Sequence, residues 1–236
     1  MTRYIDKASC RSFYYNYYRG TMTRPASERA FSLGVIILAA GRSARMGRPK
    51  LLLPWNQTSV LGHLIEQWRA LGADQITVVC APGDVAVRAE LDRLGFPAQD
   101  RISNPAPERG MFSSVQCAAQ WPGWQAALTH WAIVLGDQPH LQSQTLRQVL
   151  DFSAAQPAKV CQPARLGHGR HPVLLPIAVF RQLAVSTAAT LKEFLAARPR
   201  EVAFCEVDDP GMEVDIDRPE DYDKAVDLAA KRRAER

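Results

Sequence analysis

The chain has 236 residues, 47% hydrophobic and 22% charged, with a formal net charge of +5, a composition that suits one domain with a sizeable core. Residues 1–33 hold six Lys or Arg against two acids and so carry most of that surplus. The remainder is nearly neutral and offers no basic face for duplex nucleic acid.

The chain divides by composition at residue 33. Residues 1–33 carry five of the six tyrosines (Tyr4, Tyr14, Tyr15, Tyr17 and Tyr18) among scattered basic residues, without helical or strand periodicity. They read either as an aromatic and basic arm for a partner or as a frayed extension ahead of Met22. Residues 34–236 read as the folded domain.

From Gly34 onward, short β-branched runs alternate with amphipathic stretches, the pattern of a largely parallel sheet covered by helices. The expected strands are 35–38, 76–80, 132–135, 160–162, 173–175 and 202–207. The expected helices are 60–71, stopped by Gly72, 85–94, stopped by Gly95, then 111–120, 144–154, 191–197 and 220–232. Ligands of open α/β sheets sit beyond the carboxyl ends of strands, so the residues after Leu38, Leu135 and Val207 are the places to search.

Five cysteines (Cys10, Cys80, Cys117, Cys161 and Cys205) include no CxxC pair, which points to a reducing compartment rather than to a zinc site. No stretch approaches the roughly 18 apolar residues of a membrane helix. The N-terminus lacks the apolar run of a secretory signal. A cytoplasmic protein without membrane or nucleic-acid partners is expected.

The first strand opens into a loop, Ala39-Ala-Gly-Arg-Ser-Ala-Arg-Met-Gly-Arg-Pro-Lys50. Gly41 and Gly47 let backbone N–H groups face a ligand, while Arg42, Arg45 and Lys50 supply charge-assisted donors for phosphate oxygens. Neither a P-loop nor a dinucleotide G-x-G-x-x-G spacing is present. On composition alone a solvated basic loop is the competing reading.

Further on, His130-Trp-Ala-Ile-Val-Leu-Gly-Asp-Gln-Pro139 is an apolar strand that delivers Asp137 to the ligand-bearing edge. Alone, Asp137 reads equally as a turn residue or as a ligand for Mg²⁺, which needs only one or two carboxylates beside substrate phosphates. Asp215 and Asp217 share one side of an extended chain, so either could supply the second carboxylate. Asp217 could instead cap the helix that begins near Pro219.

Residues 103–115 pair a proline-rich loop with Gly110 and a helix N-terminus, which attracts anions. His171, in Gly169-Arg-His-Pro-Val-Leu-Leu175, reads by itself as a structural histidine. No Ser-His-Asp or Cys-His constellation stands out, and transfer to an already ionised phosphate needs no general base.

The segment Leu38–Lys50 with the following Leu-Leu-Leu-Pro54 resembles the opening signature of the MobA-like nucleotidyltransferases, most closely the molybdenum cofactor cytidylyltransferases. Gly136-Asp-Gln-Pro139 and Asp215-Ile-Asp217 are similar to two later motifs of that family. The resemblance implies a three-layer, Rossmann-like, mostly parallel sheet of the nucleotide-diphospho-sugar transferase type. It implies that Leu38, Ala39, Ala40 and Gly41, with Gly47, Asn104, Gly110 and Ser114, receive the nucleotide, and that Lys50, Arg45 and Arg42 hold the triphosphate. Asp137, with Asp217 or Asp215, would hold Mg²⁺, and His171 and Gln138 would face the acceptor.

The implied reaction transfers CMP from CTP to molybdopterin and releases pyrophosphate, with a molybdoenzyme or its chaperone as a possible partner. Ala39-Ala40 is similar to the cytidylyl branch; the guanylyl branch carries Gly second. Arg170 departs from the family's Gly before His171 and keeps a sugar or polyol phosphate acceptor in view, and GTP is the alternative donor. A non-catalytic cofactor carrier is the alternative of a different class.

Overall fold

In a computed structural model of the chain, residues 31–41 and 44–234 are described; the tyrosine-rich residues 4–18 and Arg42 lie outside them. The structure is an α/β sandwich whose central strand is β1 (Leu33–Leu38). A continuous apolar run, LGVIIL, makes that strand, as burial on both faces demands. Its successive side chains point to opposite faces: Val35 and Ile37 enter one hydrophobic core, and Ile36 enters the other. Full burial of each such side chain stabilises by about 1.5–3 kcal/mol.

The remaining strands are β2 (Pro54–Trp55), β3 (Thr58–Ser59), β4 (Gln75–Cys80), β5 (Arg101–Ser103), β6 (His130–Leu135), β7 (Val160–Arg165), β8 (His168–Gly169), β9 (Val173–Pro176) and β10 (Val202–Glu206). The main sheet runs β10-β7-β9-β6-β1-β4-β5, with β8 paired to β7. β1 is parallel to β4 and to β6, and β10 to β7. β9 runs antiparallel to both β6 and β7. The sheet is thus mostly parallel, as expected.

The helices are α1 (Val60–Ala70), α2 (Val85–Arg93), α3 (Met111–Gln120), α4 (Ser143–Ala155), α5 (Ile177–Leu183), α6 (Leu191–Ala196) and α7 (Pro219–Ala234). Apolar residues of α1, α2, α4 and α7 fill the core beneath one face, including Leu64, Leu91, Leu146 and Ala225. Phe112, Phe180 and Phe194, from α3, α5 and α6, fill the other. Helices therefore cover both faces. Side chains set the helix starts: Ser59 Oγ accepts from the Gly62 amide, and Thr190 Oγ1 from the Glu193 amide, each satisfying an orphan N–H of a first turn.

Every strand and helix expected from the sequence is present within three residues at its ends. The two-residue strands, the three-residue β5 and the seven-residue α5 are additions. At the other end of the described segment, Phe31 stacks on His130 with ring centroids 4.4 Å apart.

The β7–β8 hairpin closes through Leu166 (φ +53°) and Gly167 (φ +77°). Two left-handed residues give the turn whose twist suits a two-residue hairpin, and Asn-Gly is its preferred sequence. Leu166 is strained there and, at 75% exposure, contributes no burial in return. Leu166→Asn is expected to raise stability by about 1 kcal/mol, read as a higher urea midpoint at unchanged m-value.

Candidate functional site: a crevice at the carboxyl ends of β1 and β6

Chain order reverses at β1: the sheet is built outward through β4 and β5, and the chain then returns to β6 on β1's other side. A crevice opens at such a switch point. Leu38, Ala39, Ala40 and Gly41 leave β1 on one wall, and Leu135, Gly136 and Asp137 leave β6 on the other. With Lys50 and Leu51, and with Pro107, Gly110, Met111 and Ser114 from the front of α3, they enclose about 290 Å³.

Gly136 is what lets the two walls approach. A Cβ at this position would lie 2.7 Å from both the Leu38 carbonyl oxygen and the Leu51 side chain, so any larger residue would part the strand ends. Gly110 serves the opposite wall, with φ +89° and ψ 178°, a conformation essentially reserved for glycine. It has no side chain to cap α3, which leaves first-turn N–H groups of that helix available to an anion or a polar base.

The charged groups meet at the crevice mouth. Lys50 Nζ lies 2.5 Å from Asp137 Oδ2 and 3.5 Å from Asp217 Oδ1, and Arg45 Nη1 lies 2.9 Å from Asp217 Oδ2. The second oxygen of Asp137, Oδ1, is buried without a hydrogen-bond partner. An unsatisfied carboxylate oxygen, with a second carboxylate across a cation, is a hard oxygen donor set that fits Mg²⁺ or Mn²⁺. Among the described residues no three His, Cys, Asp or Glu side chains are grouped to hold a metal, so phosphate oxygens and water would complete the coordination.

The two aspartates of the Asp215-Ile-Asp217 segment separate. Asp217 faces Arg45 and Lys50, whereas Asp215 Oδ1 accepts a 2.8 Å hydrogen bond from Gln138 Nε2. Gln138 is buried and lines neither this crevice nor the larger cavity beside it, so its observed contact is to Asp215. Asn104 likewise lies behind the crevice wall. Its amide donates to Ser113 and Ser114 hydroxyls at 2.8 and 2.9 Å, and its Oδ1 accepts from the Ala106 amide. It holds the loop to the helix, while Ser114 lines the crevice. Gly47 sits exposed in the turn between Arg45 and Lys50 with φ +67°.

His171 enters from β9. Because β9 is antiparallel to β6, its first residues lie at the ligand edge. The Nδ1 of His171 is 3.3 Å from the Ile133 carbonyl, which assigns the proton to Nδ1 and leaves Nε2 as an acceptor. Burial lowers its pKa below the ordinary histidine value, outweighing the Ile133 carbonyl and the nearby Asp137 and Asp215 that favour the cation.

His171 also lines a second cavity of about 570 Å³, which shares Met111 with the crevice. Val173, Leu191, Leu195 and the half-exposed Phe204 form its apolar wall. The sequence singled out neither Met111 nor Phe204, because their position depends on how α3 and β10 meet. Among the described residues no helix is long and apolar enough to cross a membrane.

A sheet switch point that gathers a lysine, two carboxylates and an uncapped helix start defines a nucleotidyltransferase when joined to its relatives. A family model for the MobA-like NTP transferase domain matches residues 35–202, and the chain belongs to that family. Members bind nucleoside triphosphates and phosphorylated acceptors and commonly use divalent metals.

Over 140 residues the chain is 35% identical to the bifunctional protein GlmU of Pseudomonas savastanoi pv. phaseolicola, a match covering 58% of this chain and 27% of that one. The chain thus spans about a quarter of such a relative. The crystal structure of Rv0371c from Mycobacterium tuberculosis H37Rv is 27% identical, with TM-score 0.67, covering 84% of this chain and all of the other. A manganese complex of Rv0371c is similar at TM-score 0.63 and 26% identity, with the same coverage. Molybdopterin-guanine dinucleotide biosynthesis protein A from Archaeoglobus fulgidus shares the fold at 15% identity and TM-score 0.61, covering 84% of this chain and 99% of that one.

Proposed function

We propose that this nucleotidyltransferase transfers CMP from CTP to molybdopterin in a Mg²⁺-dependent reaction and releases pyrophosphate. The observation that carries this reading is the placement of Lys50 between Asp137 and Asp217 at the mouth of the crevice, with a larger cavity that shares Met111 with it. An oxygen of the acceptor phosphate attacks the α-phosphorus, and the bond from that phosphorus to the bridging oxygen breaks. The pyrophosphate departs with the bonding electrons. The acceptor phosphate is ionised near neutral pH, so no base is required. The barrier is repulsion between anions.

Lys50 and Arg45, with Arg42, answer that repulsion by gripping the triphosphate, and Asp137 and Asp217 would hold the metal. When bound, Mg²⁺ supplies charge neutralisation at the phosphoryl oxygens. Lys50, now paired with the carboxylates, turns to the nucleotide. The backbone of Leu38–Gly41, the start of α3 at Gly110, and Ser114 receive base and ribose. Gly47 shapes the loop and Asn104 positions Ser114. Asp215 acts by fixing Gln138, and His171 presents Nε2 to the acceptor. The resemblance of Ala39-Ala40 to the cytidylyl branch of the family favours CTP as the donor.

A sugar or polyol phosphate acceptor is the second reading, kept in view by Arg170 ahead of His171, and GTP is the alternative donor. A carrier without turnover leaves the Lys50 and Asp137 pair without purpose. The test is pyrophosphate release from each of the four NTPs with Mg²⁺, in the presence of molybdopterin, of glucose 1-phosphate, or of neither. Release confined to CTP with molybdopterin supports the proposal; release with a sugar phosphate alone overturns the acceptor. Lys50→Ala is expected to cost about 10²–10³ in turnover, the usual loss of one aimed donor, with the circular dichroism melt unchanged.

A further inference from the structure

We infer that the 570 Å³ cavity contains an anion subsite, built by Arg170 and Lys192, which selects an acceptor bearing a second anionic group apart from the phosphate that reacts. The inference rests on reading this cavity as the acceptor site of the proposed transfer. Arg170, His168 and Lys192 are its ionisable lining residues besides His171, and no carboxylate lines it. Its other walls are mostly apolar, so an anion that enters meets Arg170 in partly dehydrated surroundings, where a charge-assisted hydrogen bond is at its strongest, and the exposed Lys192 at the rim.

Arg170 is held in place for this. Its backbone N–H donates to the Pro163 carbonyl at 2.7 Å, and its Nη2 lies 2.5 Å from Glu213 Oε2. Glu213 also faces Arg165 at 3.9 Å. Glu213 thus serves two guanidinium groups, of which Arg165 has a second carboxylate, Asp208, at 3.9 Å. The Arg170 Nε is buried without a hydrogen-bond partner. Glu213 therefore leaves part of the guanidinium's donor capacity unused while fixing its orientation at the cavity wall. Lys192 approaches from α6, on the other side of the cavity.

The subsite is separate from the reacting centre. Lys50 and Asp137 line the crevice, Arg170 and Lys192 line the cavity, and Met111 is shared between them. An acceptor that spans both has an apolar body with an anionic group at each end.

The test is calorimetric titration of the protein, its nucleotide crevice filled with the methylene analogue of CTP and Mg²⁺. Two pairs of probes differ by one anion: glucose 1,6-bisphosphate against glucose 1-phosphate, and pterin-6-carboxylate against 6-hydroxymethylpterin. The more anionic member of at least one pair is expected to bind about 10- to 150-fold more tightly, the value of one charge-assisted hydrogen bond. Arg170→Gln should abolish that advantage. Lys192→Gln, at an exposed helix position that leaves the fold alone, should reduce it.

No advantage in either pair, an advantage that survives Arg170→Gln, or no binding by any of the four probes overturns the inference. An advantage confined to the sugar pair sustains the subsite while removing molybdopterin as acceptor. Transfer of CMP to molybdopterin with a KM untouched by both substitutions does the reverse.

Discussion

Asp137→Asn is expected to lower the rate of pyrophosphate release by more than about 10³, the largest activity loss of any single substitution in the crevice. The change keeps the side chain's shape and removes its charge. It weakens the 2.5 Å contact with Lys50 and turns one of the two carboxylates beside that lysine into a neutral amide. It also alters the oxygen that lies buried without a hydrogen-bond partner. Because Gly136 and not Asp137 sets the approach of β6 to β1, the melt should be little changed. Mn²⁺ binding, followed by electron paramagnetic resonance in the presence of nucleotide, should weaken in parallel. Turnover within tenfold of the unmodified protein, with normal Mg²⁺ dependence, would remove Asp137 from the reaction.

The largest loss of stability is expected far from this crevice, at Asp209→Ala. Asp209 is fully buried. Its Oδ1 accepts from the Gly211 amide at 2.9 Å and from Arg232, and its Oδ2 accepts from Thr145 at 3.0 Å and from the Gln142 amide at 3.3 Å. Arg232 reaches in from α7 and also donates to the His140 carbonyl. Removing the acid leaves a mostly buried guanidinium without its counter-charge, which costs about 3–5 kcal/mol. For a chain of this size that is a fall of about 6–20 °C in Tm. Replacing Arg232 by methionine as well should restore part of the loss, since an apolar side chain leaves no buried charge behind.

The same group gives the protein an acid limit. Burial raises the Asp209 pKa, but the Gly211 amide, Arg232, Gln142 and Thr145 together more than reverse this, and the carboxyl ends below its ordinary value of 3.8. A depressed native pKa means that the unfolded chain binds the proton more readily. The contribution is therefore complete above the ordinary carboxylate range and is lost as pH falls through the native value. Denaturation midpoints between pH 5 and 3 should drop less steeply in Asp209→Asn than in the unmodified protein.

The sequence made the halves of the crevice visible to different degrees. β1 and β6 are legible as apolar runs that end in glycine and charge, and Lys50 and Asp137 follow from where those runs stop. The choice between Asp215 and Asp217 was not legible, because it depends on the irregular path between β10 and α7. There the Gln138 amide takes one carboxylate while Arg45 and Lys50 take the other. The resemblance places Asn104 among the nucleotide-site residues, whereas its amide is turned inward to two serines. The Asp209–Arg232 pair spans 23 residues and leaves no local pattern. The β7–β8 hairpin hid behind Leu166, a residue that a two-residue turn seldom places at positive φ.

That hairpin and the antiparallel β9 have a consequence for how the enzyme can diversify. The chain reaches the ligand edge at Arg165, turns through β8, and leaves through His171 into β9 without crossing the sheet. One unbroken stretch of nine residues, 165–173, therefore supplies much of the second cavity, while the crevice draws on segments scattered from Leu38 to Asp217. If the second cavity takes the acceptor, as proposed, substitutions that retune it can accumulate in this cassette without disturbing β1 and β6 at the crevice. Exchanging residues 165–173 between relatives should move acceptor preference as a unit and leave nucleotide affinity where it was.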